Sequence, residues 1–213
     1  MAVLLPDLAR NRSMQKIIKE FKKVTPTSIW QIGSRSWYAL QRAAMWPAAT
    51  FHPLRRQSIR GLANFKDIHQ GQRCFIIGNG PSLKKMDLSL LRNEFTIGMN
   101  RIYLMFPELG FQTSYFLTVN SLVIEQCAED IRELSMPKFL SWRSRNMIKP
   151  ADEMYFLHTT YSGPGFTKDA RKRIWEGATV TNVALQLAFF MGFKQVILIG
   201  VDQIGRASCR ERV

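Results

Sequence analysis

Cysteine, histidine and acidic residues are all scarce in this 213-residue chain. Cys74, Cys127 and Cys209 form an odd set without metal-type spacing, which excludes a disulfide scaffold and fits a reducing, cytosolic setting. His52, His69 and His158 are scattered, with no partner at the spacing that metal ligands need. No apolar run approaches the ~20 residues required to cross a bilayer. Residues 1–8, broken early by Pro6 and Asp7, make no convincing signal peptide. What the chain does have is 46% hydrophobic and 22% charged residues, the composition of a globular protein rather than a disordered tail or a collagen-like fibre.

Acids are outnumbered by Lys and Arg, 16 to 30, and the imbalance is uneven. Residues 1–60 carry a net charge of +9, residues 61–202 only +3. The last eleven residues, 203–213 (QIGRASCRERV), read back through the genetic code as a string resembling a common library adapter. They are set aside as a scar, the alternative being a short basic natural tail, and the natural chain is expected to continue past Asp202.

The positive field belongs to the N-terminal segment. Met14, Ile17, Ile18 and Phe21 recur at helical spacing opposite Lys16, Lys19, Lys22 and Lys23, a short basic amphipathic helix. Trp30, Trp37, Tyr38 and Trp46, interleaved with Arg35 and Arg42, suit the headgroup layer of an anionic membrane. A solvated helix whose aromatic face packs on the main domain explains them equally well. Pro47, His52, Pro53, Arg55 and Arg56 read as a linker of low periodicity. The expected organisation is a basic segment over 1–60, a folded domain over 61–202 and the tail. The expected location is cytoplasmic, peripheral to the inner face of the membrane.

From residue 62 short apolar runs alternate with helical stretches. The pattern predicts strands at 73–77, 95–99, 114–119, 138–140, 154–157 and 195–201, short helical turns at 86–91 and 101–106, and helices at 121–134 and 179–191. Most strands are apolar on both faces, and the last helix is apolar almost all round. That combination argues an α/β, Rossmann-like fold: a mostly parallel sheet with helices on both faces.

Each strand runs into polar residues: Ile77 into Gly78-Asn79-Gly80-Pro81-Ser82, Met99 into Asn100, Val119 into Asn120, Leu140 into Ser141 and Arg143, Val201 into Asp202. In a parallel sheet these gather at one edge, where open α/β folds bind ligands. Gly78 and Gly80 allow a sharp turn and close backbone approach, Pro81 suits a first helical turn, and Ser82 offers a hydroxyl. Such a loop can cradle phosphate. Leu83 replaces the third glycine of the dinucleotide fingerprint, and no Lys-Ser/Thr pair closes a P-loop, so a plain tight turn fits as well. Asn120 is read as a helix cap, Asn100 as a ligand contact. His69 belongs to the turn before the first strand, and His158 is a candidate to line the cleft. Arg143 and Arg145 could pair with phosphate or an acidic sugar. Residues 161–166 read as a flexible loop and 168–173 as a solvated charged turn.

The ordered set FIIGNGPSLKKMDLSLL, TIGMNRIYLMF, YFLTVNSLVIEQ and GATVTNVALQLAFFMGFKQVILIGVD, over residues 62–202, resembles the 6-hydroxymethylpterin diphosphokinase MptE-like family. The GNGPSL opening and the later Asn also resemble bacterial sialyltransferases that use CMP-activated sugars, and the motility accessory factors. The resemblance implies that Gly78, Asn79, Gly80, Pro81 and Ser82 hold a nucleotide's phosphates and ribose and that Asn100 contacts the nucleotide. It implies that Thr179 and Thr181 line the same cleft. The family commonly continues GVD with His-Ser-Phe, where this chain has Asp202 followed by Gln203. Both related activities displace a phosphorylated leaving group from an activated nucleotide.

The first expectation is a transferase with Asp202 as its catalytic candidate, moving a sugar from a CMP-type donor to a glycan or lipid-linked acceptor in surface glycan synthesis. The second is a pterin diphosphokinase using ATP, in which Asp202 would hold Mg²⁺; a helix cap is the bland role for that residue. A catalytically inactive nucleotide-binding module, or a nucleic-acid binder exploiting the charge, is third, although the charge lies outside the folded domain.

Overall fold

Among the residues that the computed structural model describes, Pro47, 49–161 and 165–201, seven strands form one sheet in the order β6-β5-β4-β3-β2-β1-β7. They are β1 (Arg73–Ile77), β2 (Phe95–Met99), β3 (Tyr115–Thr118), β4 (Lys138–Ser141), β5 (Met154–Thr160), β6 (Arg173–Trp175) and β7 (Gln195–Ile199). Every neighbouring pair is parallel. The sheet therefore has the Rossmann-like α/β character that strands apolar on both faces require. β3 and β4 are buried at every residue.

Helix α5 (Val180–Phe190) supplies the cover of one face. Its Val183, Ala184, Leu187 and Ala188 are fully buried, in one core with Cys74, Ile76, Ile97, Leu117 and Leu157. Each Leu, Val or Ile removed from water in this way contributes roughly 1.5–3 kcal/mol. The helix, apolar almost all round, is not buried all round: Phe189 is exposed and meets Phe166 edge to face, with ring centroids 5.4 Å apart. Thr179 caps its start, its side chain accepting from the Asn182 N–H at 3.2 Å.

Three local expectations are corrected. The stretch containing Pro53 is helix α1 (Pro53–Ala63), not a linker of low periodicity. His52 Nδ1 caps it by accepting from the Leu54 N–H, and Pro sits at its start. The helix expected over 121–134 is two, α3 (Ser121–Gln126) and α4 (Ala128–Glu133). They part at Cys127, beside which the Tyr103 hydroxyl reaches Asp130 at 3.3 Å, a contact from outside the helices. Arg173 opens a strand instead of ending a charged turn. Three residues with a charged first member carry no alternation to read, and β6 exists because it pairs with His158–Thr160 of an extended β5.

The lower half of β5 has no strand beyond it, and α1 takes that place. Ser58 Oγ accepts from the Phe156 N–H at 2.9 Å, and Arg55 donates to the Phe156 carbonyl at 3.1 Å and to the Arg171 carbonyl at 2.6 Å. Side chains thus satisfy an edge that would otherwise expose ladder groups. The short α2 (Phe106–Leu109) and several 3-10 turns complete the connections. The amphipathic and Trp-bearing stretch before Pro47, residue Asp202 and the tail 203–213 lie outside the described residues.

Candidate functional site

β1 leads onward through β2 to β6 on one side, while β7 returns to its other side, so the strand order reverses at the β1/β7 boundary. In open α/β sheets such a reversal commonly marks the ligand-binding region. The Gly78 loop leaves β1 at that point. Its Gly78 N–H donates to the Ile199 carbonyl and its Gly80 N–H to the Gly200 carbonyl, both at 2.8 Å. A Cβ on Gly78 would overlap the Gly200 carbonyl oxygen, and one on Gly200, at φ +62°, would overlap the Leu83 side chain. The glycines are needed for this approach of two backbones. Two of the loop's amides are therefore engaged with β7. Pro81 opens a five-residue 3-10 turn, Pro81–Lys85, with Gly80 before it and Ser82 within it.

The loop also reaches the other way. Asn79 is exposed, and its Nδ2 donates to the carbonyl of Met99, the last residue of β2, at 3.1 Å. Asn100 follows at φ +54°, a left-handed conformation that Asn tolerates better than most residues. Its N–H donates to the Leu117 carbonyl at 3.0 Å, and its Oδ1 accepts from the Thr118 hydroxyl at 3.1 Å. Thr118 is fully buried. Asn79 and Asn100, 21 residues apart in the chain, are thus neighbours at one end of the sheet, with Asn79 Oδ1 and Asn100 Nδ2 left unpaired among the described residues.

The other candidates distribute as follows. Asn120 caps α3, accepting from the Leu122 N–H at 3.0 Å. Thr179 and Thr181 lie at the start of α5, which follows the carboxyl end of β6; the Thr179 side chain is taken up by its own cap. Asp202, next after the exposed Val201, is outside the described residues. Among those residues no three His, Cys, Asp or Glu side chains converge on a possible metal position, and the groups at Asn79, Asn100 and Thr118 are amides and a hydroxyl. This donor set does not by itself fit Mg²⁺, which favours carboxylate and phosphate oxygens.

His69 is a core histidine: its Nε2 is 2.7 Å from the Tyr115 hydroxyl, its Nδ1 is 2.7 Å from Gln72 Oε1, and its ring stacks on Phe193. His158 lies inside β5, not after it. Burial, aided by Arg55, Arg173 and Arg143, pushes its pKa down to about 4. Arg143, at the end of β4, pairs with the buried Glu176 and lies 3.8 Å over the Tyr161 ring. Motif reading missed Thr118 and Glu176; the pairing of β2 with β3 and the placement of β6 bring them in, and neither carries a local signal.

Fold and edge chemistry together define a Rossmann-like α/β protein with its polar residues at the carboxyl ends of a parallel sheet. A family model described as 6-hydroxymethylpterin diphosphokinase MptE-like matches residues 52–204. The chain belongs to that family. Among solved structures, the MAf glycosyltransferase from Magnetospirillum magneticum AMB-1 is similar at a TM-score of 0.44 and 19% sequence identity. The match covers 72% of this chain and 29% of that protein. No curated protein matches the chain.

Proposed function

We propose that the chain is a transferase acting on a nucleotide-activated substrate, and within that class a glycosyltransferase using a CMP-type sugar donor in surface glycan synthesis. The observation that carries the reading is the meeting of Asn79 and Asn100 at the carboxyl ends of β1 and β2. Asn79 is held by the Met99 carbonyl so that its Oδ1 can accept, and Asn100 by Thr118 so that its Nδ2 can donate. A ribose hydroxyl next to a phosphate oxygen presents the complementary pair. Holding the nucleotide there fixes the leaving phosphate while the acceptor hydroxyl is placed against the transferred group, which lowers the entropic part of the barrier. Gly78, Gly80, Pro81 and Ser82 shape the loop that carries Asn79. Asp202 is the candidate for the catalytic carboxylate, and Thr179 and Thr181 for the far wall of the cleft.

The preference for sugar transfer rests on the basic, Trp-bearing N-terminal sequence, which suits a glycan or lipid-linked acceptor at an anionic membrane. The family description favours a second reading, an ATP-dependent pterin diphosphokinase, in which Asp202 would hold Mg²⁺. Thermal-shift comparison of CMP, CDP, UDP, ATP and ATP with Mg²⁺ on the full chain separates the two. Stabilisation by CMP without metal supports sugar transfer, and a requirement for ATP with Mg²⁺ supports the kinase. Indifference to every nucleotide removes both.

A further inference from the structure

A second group of side chains at the same sheet edge is not used by the nucleotide reading. It stands at the carboxyl end of β4, the last residues of β5 and the adjoining β6, two or more strands from Asn100, hence roughly 10 Å away or more at ~4.8 Å per strand. Arg143 extends from the end of β4, His158 and Thr160 lie on β5, and Arg173 is the β6 residue in register with His158. Arg55 comes in from α1, buried, held by two backbone carbonyls and with no carboxylate partner among the described residues. Glu176, paired with Arg143, is the acid of the group; the nearby Asp169 is bound to Arg171. Among the described residues, three guanidinium groups thus stand with one carboxylate around an uncharged imidazole.

The hydrogen-bond account is unbalanced in the same place. Six buried side-chain polar atoms have no partner among the described residues, and four of them are here: Trp142 Nε1, Ser144 Oγ, Thr160 Oγ1 and Arg55 Nε. All four can donate. Buried donors are ordinarily paired, and these four, on the turn after β4, on β5 and on α1, lack an acceptor among the described residues. Arg143, Arg173, His158 and the exposed Tyr161 keep the group open to solvent.

We infer that the carboxyl ends of β4 and β5, with the adjoining β6, form a subsite for an anionic group, phosphate or carboxylate, with Arg143 and Arg173 as its charge partners and His158 and Thr160 beside it. Assigning that group to the transferred sugar or to the acceptor rests on the transferase reading; the existence of the subsite does not. Arg143 also has the flat Tyr161 ring beneath it, which orients its fork for two-oxygen recognition.

The test follows the His158 ring resonances of the full chain by NMR, assigned through His158→Gln, while inorganic phosphate or acetate is added. An anion at the subsite is expected to raise the His158 pKa by about one unit, a tenfold linkage. The double variant Arg143→Met/Glu176→Gln removes the pair without stranding a buried carboxylate, and is expected to weaken the effect at least tenfold. Arg173→Gln, at an exposed position, gives a second measure that does not depend on the double variant folding. Asn79→Ala should leave the phosphate response unchanged and abolish stabilisation by CMP. A stronger response to phosphate assigns a phosphorylated ligand, a stronger response to acetate a carboxylate. Failure of both anions to move His158, or equal responses in the wild type and Arg173→Gln, overturns the subsite. A phosphate response without any nucleotide response keeps the subsite and removes the nucleotide reading.

Discussion

The chain Thr118, Asn100, Met99, Asn79 decides which atoms this end of the sheet offers. The buried Thr118 hydroxyl occupies Asn100 Oδ1 and so turns the amide's donors outward. Thr118→Val keeps the volume and removes that restraint. On the proposed nucleotide reading, the expected result is about tenfold weaker nucleotide binding by calorimetry, about 1.4 kcal/mol, with Thr118→Ser restoring it to within about threefold. Gly200 tests the backbone approach. Gly200→Ala combines positive-φ strain with overlap against Leu83 and should cost about 2–4 kcal/mol in urea unfolding. Gly71→Ala is the control: its φ is also positive, at +78°, but nothing lies within 4 Å of an added Cβ. Strain alone should cost it about 1 kcal/mol. The sequence marks the asparagines and glycines as turn formers and polar strand-end residues. It does not mark Thr118, whose importance comes from a strand pairing 18 residues away.

At the scale of elements, the contact between α1 and β5 replaces a missing strand. Ser58→Ala leaves the Phe156 N–H buried without an acceptor and should cost about 1–3 kcal/mol, with faster amide exchange at Phe156 than elsewhere in β5. Apolar runs and helical stripes reveal most of this sheet, since burial on both faces leaves a signature in the central strands. β6 leaves none: its residues are strand only because β5 offers them a ladder. The same holds for α1, whose Ser58 and Arg55 look like surface residues in the sequence and are buried against the edge of β5.

For the molecule as a whole, the buried charge near β5 sets a pH dependence. His158 has its pKa at about 4 in the fold, by burial first and then by Arg55, Arg173 and Arg143, against an ordinary 6.5. Between those values the unfolded chain binds more protons, so stability falls as pH drops from about 6.5 to about 4 and the loss stops growing below that. Melting temperatures measured across this window should fall, and His158→Asn should flatten that part of the profile. A profile identical in the variant would remove His158 as its source.

By itself the sequence determined the α/β alternation, the parallel sheet and the presence of polar residues after each strand, because hydrophobic period and strand-end chemistry are local properties. Which strand ends are neighbours is not local. The return of β7 to the side of β1 put the Gly78 loop at the reversal of strand order, and parallel pairing set Asn79 beside Asn100. The late pairing of β6 with β5 carried Glu176 and Arg173 to Arg143 and His158. Strand order is chosen by how buried faces pack across the whole sheet, so only the tertiary structure could decide it.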